Sequence, residues 1–247
     1  MTTKAILGRK LGMTQIFDKN GKVTSVTVIE AGPCEVVQVK TPTKEGYGAI
    51  QIGFEEKKES KTKKSILGHF KKAKTSPKKV LKEIRIGLHE KFGVGHKITV
   101  DLFEVGEHLD VTGKSIGKGF QGGIKRHGWS RGPETHGSMS HRAPGSIGAS
   151  AFPSRVVKGH ALPGHMGDAK VTVQNLEIIK IDKENNLILV KGQVPGKKNN
   201  LLILRRAKKK PKIEEKPREE KTVPEKEAKR EQPKKEVKEK PQAKTEK

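Results

Sequence analysis

The chain has 247 residues, 33% of them charged and only 31% hydrophobic, with one Trp and one Tyr. That is too little apolar material to bury the whole length, so part of the chain is expected to lie outside any core. The formal net charge of +25 repels itself and calls for a polyanion, nucleic acid being the commonest.

Residues 4–54 read as strands. Met13-Thr14-Gln15-Ile16-Phe17 alternates, Asp18-Lys19-Asn20-Gly21 supplies a turn with Asn-Gly at its centre, and residues 23–29 alternate again with many β-branched side chains. Val36-Val37-Gln38-Val39 and Ala49-Ile50-Gln51-Ile52 continue the pattern. A lysine-rich interruption at about 55–95, with one short helix over 66–74, reads as an insertion on the sheet domain. Strands resume at 98–102 and 109–111, return at 171–181 and 187–190 around an Asn185-Asn186 turn, and end at 201–204. Short strands at near-regular spacing predict a closed β-barrel, which leaves no exposed edges. Residues 1–112 therefore supply its first part and 169–206 its closing strands.

The stretch 113–167 matches neither period. It holds 13 of the 27 glycines, eight Lys or Arg, five His and one acid, Glu134. A loop of this length inside a compact domain needs an external partner to order it. From 207 onward the chain has no glycine and no aromatic residue; Lys and Glu alternate around Pro211, Pro217, Pro224, Pro233 and Pro241. Such a segment is expected to be disordered.

Several motifs are weighed for chemistry. Gly117-Lys118-Gly119-Phe120-Gln121-Gly122 matches the dinucleotide fingerprint, but Lys125-Arg126-His127-Gly128 after it is not expected to start a stable helix, so no cofactor is expected. His136 with His141 and His160 with His165 have metal-pair spacing, but zinc would want Cys or carboxylate partners or a third well-placed His in a helical or hairpin context, and none is evident. Stacking on bases or donating to phosphates suits these imidazoles better. No nucleophile elbow or carboxylate pair accompanies them, so no catalytic site is expected. Cys34 is alone, which excludes an intramolecular disulfide and points to a reducing cytoplasm. Neither a signal peptide nor a membrane span is expected.

The glycine-rich stretch suits close RNA contact, since glycine lets the backbone approach phosphate and sugar. Arg126, Arg131, Arg142 and Arg155 can fork onto phosphates, while Lys114, Lys118, Lys125 and Lys158 act as point charges. His127, Trp129 and Phe152 offer flat faces to unpaired bases. A flexible, solvated basic loop fits the same composition. A general nucleic-acid chaperone or DNA-compacting protein is the main alternative function, and an RNA-acting enzyme a second.

Lys118-Gly119-Phe120-Gln121-Gly122 with Lys125-Arg126-His127, Thr135-His136-Gly137-Ser138 with Ser140-His141-Arg142, and Pro144-Gly145-Ser146-Ile147-Gly148 resemble the signature loop of a known family. Gly164-His165-Met166-Gly167 before Val171-Thr172-Val173-Gln174, and the opening Gly8-Arg9-Lys10-Leu11-Gly12-Met13-Thr14, are similar to the same family. It is the bacterial form of the universal third protein of the large ribosomal subunit, and the likeness covers roughly residues 1–205. The resemblance implies a mainly β fold, with a translation-protein type β-barrel, an α+β insertion, and 113–168 as a long extended Gly/basic loop running into the ribosome. It implies binding to 23S rRNA near its 3′ end, an early role in assembly, no catalysis, and large-subunit proteins fourteen and nineteen as neighbours. Lys10, Phe120, His136, His141, His160 and His165 join the basic and aromatic residues above as implied rRNA contacts. Gly148, Ala149, Ser150, Ala151 and Phe152 are the implied tip near the peptidyl-transferase centre. The 19 residues from Ala149 to Gly167 reach at most about 65 Å at roughly 3.3–3.6 Å per residue. The glutamine that some members methylate after this motif is absent, Ala149 and Ala151 flanking Ser150 instead. The tail also exceeds the usual family length.

Overall fold

The computed structural model describes residues 4–18, 20–85 and 92–209. The tail anticipated from 207 lies outside the described residues beyond 209. In chain order the elements are β1 (Ala5–Phe17), β2 (Val23–Ala31), β3 (Cys34–Lys40), α1 (Pro42–Glu45), β4 (Ala49–Glu56), α2 (Lys64–Ala73) and β5 (Lys78–Arg85). There follow β6 (Lys97–Ile98), β7 (His108–Lys114), β8 (Gly119–Gln121), α3 (Gly123–His127), β9 (Gly164–Met166), β10 (Lys170–Asp182), β11 (Leu187–Lys191) and β12 (Leu201–Arg206).

Six strands close a barrel in the order β1-β12-β7-β10-β11-β2, with every pairing antiparallel. Alternate residues of each strand turn inward, so Ile6, Ile29, Leu109, Val111, Ile178, Ile188, Val190, Leu202 and Leu204 are buried together. Register shifts at Lys10/Gly12, Val173/Leu176 and Ile178/Lys180 bend the long strands enough to close the ring. The expected turn is present: Gly21 takes a φ of 73° and its N–H donates to the Asp18 carbonyl at 2.8 Å. At the second turn Asn186 has a φ of 54°, and the Asp182 carboxylate accepts from the Glu184 and Asn185 amides.

The insertion starts earlier than 55. After Gly32, whose φ is 76°, the chain leaves the barrel, and β3 and β4 join β5 and β6 in a separate sheet of order β5-β4-β3-β6. Alternation shows that a segment is a strand but not which sheet it joins, so the strands at 36–39 and 49–52 read as barrel strands. The helix expected over 66–74 is α2, which buries Phe70 and Ala73 against Val37. The strand expected over 98–102 stops at Ile98. Residues Val100–Leu102 turn into a short 3-10 helix instead. There Val100 and Phe103 share the core at a spacing of three, and Asp101 accepts from the Thr99 hydroxyl at 2.9 Å.

Barrel and insertion share one hydrophobic cluster, in which Ile6 and Leu7 belong with Val36, Ile52, Phe54 and Ile84. Cys34 sits in this cluster, fully buried, and burial pushes its thiol up to about 12. It is a core residue without reactive thiolate at neutral pH. Lys78 is buried as well, between Glu35 at 3.1 Å and Glu56 at 3.2 Å.

Candidate nucleic-acid interface

The glycine-rich segment continues one barrel hairpin outward. The β7–β10 ladder ends at Lys114 and Lys170; Ser115 N–H then donates to the Ala169 carbonyl at 2.9 Å and Lys118 N–H to Met166 at 2.9 Å. The β8–β9 ribbon follows, pairing Gly119 with Met166, Phe120 with His165 and Gln121 with Gly164. Two strands already held at their base thus aim the segment away from the barrel. Lys114 and Asp168 bridge the exit at 2.8 Å, and the Lys114 hydrogen bond holds the Asp168 carboxyl below its ordinary range.

Beyond the ribbon the arm has almost no interior. Of residues 114–168 only Gly123 is buried. Seven large apolar side chains of the arm are exposed, Phe152 at 89% and Phe120 at 76% among them. Burial of apolar surface therefore cannot be what shapes it.

A compact knot at the ribbon's end provides local order instead. The helix α3 was not anticipated, because its sequence of glycine and cations has little propensity of its own. Tertiary contacts supply what propensity lacks. Gly128 closes the helix in the left-handed region at φ 72°. The Trp129 ring lies directly on Gly123, in space a Cβ would occupy, and stacks on His127 with centroids 6.0 Å apart. From the same helix, Arg126 Nη1 donates to the Leu162 carbonyl at 2.7 Å and His127 Nε2 lies 2.9 Å from it. Leu162 is thus an anchor through its backbone, which no side-chain pattern announces. Further out, Gly132 N–H donates to the His141 carbonyl at 3.0 Å and His141 Nδ1 lies 2.9 Å from the Pro133 carbonyl. Around the expected tip, Ser146 Oγ donates to the Gly148 carbonyl at 2.8 Å, and Gly148 faces the Arg155 backbone, so the chain reverses between them.

The candidate contacts divide by what already occupies them. Arg131 pairs with Glu134 at 2.6 Å, Lys114 with Asp168, and Arg126, His127 and His141 brace backbone carbonyls. The side chains of Lys118, Lys125, Arg142, Arg155 and Lys158 make no hydrogen bond or ion pair with any described residue, and all five are exposed. His136, at φ 57°, His160 and His165 are exposed too. Lys10 is set apart: it lies in β1, and its ammonium donates to the Val194 and Gly196 carbonyls at 3.0 and 3.1 Å. Burial lowers that ammonium from its ordinary value. Gly148, Ala149, Ser150, Ala151 and Phe152 are all exposed. Among the described residues no three of His, Cys, Asp and Glu gather as a metal set, and no helix is long and apolar enough to cross a membrane.

A barrel bearing an arm with no core and exposed, unpaired cations has the architecture of a polyanion-binding scaffold. Comparison with known proteins makes the class specific. The profile of the family described as ribosomal protein L3 matches residues 88–187. The chain is 56% identical over 204 residues to large ribosomal subunit protein uL3 of Carboxydothermus hydrogenoformans, covering 83% of this chain and 97% of that one. It is 59% identical over 199 residues to the uL3 of Natranaerobius thermophilus, covering 81% and 94%. With the uL3 of Oceanobacillus iheyensis the identity is 57% over 198 residues, covering 80% and 94%. The chain belongs to the uL3 family of ribosomal proteins.

Proposed function

We propose that this chain is a non-catalytic structural constituent of the large ribosomal subunit in the cytoplasm. It binds 23S rRNA near the 3′ end of that RNA, early in assembly, and carries the loop 113–168 inward. Gly148, Ala149, Ser150, Ala151 and Phe152 form the tip nearest the peptidyl-transferase centre, and large-subunit proteins fourteen and nineteen are neighbours of the barrel. The observation that carries this reading is an arm whose only buried residue between 114 and 168 is Gly123. Six of its eight cations have no carboxylate partner among the described residues. Such a segment gains its fixed course from phosphates, sugars and bases that replace a core.

Co-sedimentation with large subunits, followed by cross-linking from residues 120–155, tests it. Adducts on 23S rRNA are expected; incorporation without any RNA adduct from the arm would defeat the reading. Competition at matched salt separates it from the general chaperone or DNA-compacting reading. A ribosomal scaffold prefers structured rRNA over duplex DNA, whereas a compacting protein binds both alike.

A further inference from the structure

One surface of the barrel is built for something other than RNA. β1 pairs with β12 only from Ala5 to Arg9. From Gly12 to Phe17 its sole ladder partner among the described residues is β2. The β1–β2 hairpin therefore projects past the closed ring as a two-stranded ribbon with β1 on an open edge.

The hydrogen-bond pattern fixes which backbone groups face that edge. The Ser25 carbonyl accepts from Gly192 N–H at 2.9 Å, on the side of β2 away from β1. Its cross-strand partner Gln15 must then point its own N–H and C=O away from β2. Alternation by two assigns the same direction to Met13 and Phe17. At the ribbon's end Asp18 N–H donates inward to the Lys22 carbonyl at 2.9 Å, as that phase requires. No described residue bonds to the outward groups of Met13, Gln15 or Phe17.

Proteins normally blunt an edge like this with lysine, proline or a bulge. Residues 12–17 contain no charge and no proline, and the only register shift of the ladder lies before them, at Leu11. Nor does 23–29 on the partner strand carry a charge, in a chain where 33% of residues do. One face of the ribbon presents Met13 at 52%, Phe17 at 64% and Val23 at 51% exposure. The face holds no cation for phosphate: Gln15 and Ser25, which lie between its apolar side chains, are neutral. It offers a ladder and a hydrophobic strip to a polypeptide.

We propose that the open edge of β1 at Met13, Gln15 and Phe17 receives an extended segment of another large-subunit protein by strand addition. Backbone bonds supply the pairing, and alternate apolar side chains of the incoming segment lie beside Met13 and Phe17. The inference rests on large-subunit membership, which sedimentation reads separately from the contact itself.

The full-length chain with a photoactivatable phenylalanine analogue in place of Phe17 is incorporated into large subunits and irradiated. A peptide adduct from a different large-subunit protein is expected. Gln15→Pro should lower its yield at least tenfold while incorporation continues, because proline there removes an outward N–H and no β1–β2 bond. An adduct on rRNA, an adduct on a second copy of the chain, no adduct, or a yield indifferent to Gln15→Pro would each overturn the proposal. Hydrogen exchange on the unsubstituted protein gives an independent check. The amides of Met13, Gln15 and Phe17 should gain at least tenfold protection on passing from free protein to subunit, and no gain there would equally overturn it.

Discussion

Gly123 shows how a single missing side chain can organise a segment that has no core. Sequence reasoning placed Trp129 on RNA bases, since a flat ring in a basic loop is commonly a stacking platform. In the fold, part of that ring is taken by Gly123 and His127. The signal for this was present in the adjacent Gly122-Gly123 pair, but nothing in the chain order says which aromatic will cover a glycine. Trp129 is the only tryptophan of the chain, so its emission reports this contact alone. Gly123→Ala forces the ring off its seat. We expect a red-shifted emission of the free protein with a barrel melting temperature unchanged within about 1 °C, because no described barrel residue takes part in the contact. An unshifted spectrum would mean that the ring packs elsewhere.

At the scale of elements, strand positions were legible and strand partners were not. β-Branched alternation located β2, β10 and β11, and the Asn-containing turns between strands follow from residues that tolerate positive φ. The sheet joined by β3 and β4 depends on the departure of the chain at Gly32, which alternation does not encode. The arm was legible as a segment without hydrophobic period, but its direction comes from the β7–β10 hairpin that it continues. Arg126 and Arg142 looked equivalent in the sequence and differ in the fold. Arg126 braces the Leu162 carbonyl, whereas Arg142 makes no hydrogen bond or ion pair with a described residue. Arg142→Ala should lower the salt slope of rRNA binding by about 0.7–0.9, one phosphate contact, and leave the free protein unchanged. Arg126→Ala should also speed amide exchange in β8 and β9 while barrel stability holds. Equal behaviour of both variants in the free protein would show that the brace contributes nothing.

Across the whole molecule, the shared cluster makes barrel and insertion thermodynamically one body. Ile52 belongs to the insertion sheet yet lies fully buried in the cluster that contains Ile6 and Leu7. Ile52→Ala should cost roughly 2–5 kcal/mol, in the range for such truncations. The loss should appear in a single unfolding transition, with barrel amides such as Leu109 and Leu204 losing protection alongside those of β4. Two separate transitions would contradict the common core. Composition alone had indicated that the apolar residues could fill only part of the chain, but not that they would merge two sheets into one interior.

The ring is sealed by β12 against β1, which brings residue 205 beside residue 5. During synthesis, then, insertion and arm leave the exit tunnel before the seam that completes their platform exists. Through that interval the half-built sheet keeps its margins unprotected, and the arm with its eight Lys and Arg side chains is already free in an RNA-filled cell. Late closure of this kind is slow, because it joins sites nearly the full sequence apart. The polypeptide's capacity to stay soluble while waiting therefore depends on like-charge repulsion, which keeps unfinished copies of the chain from joining along those margins.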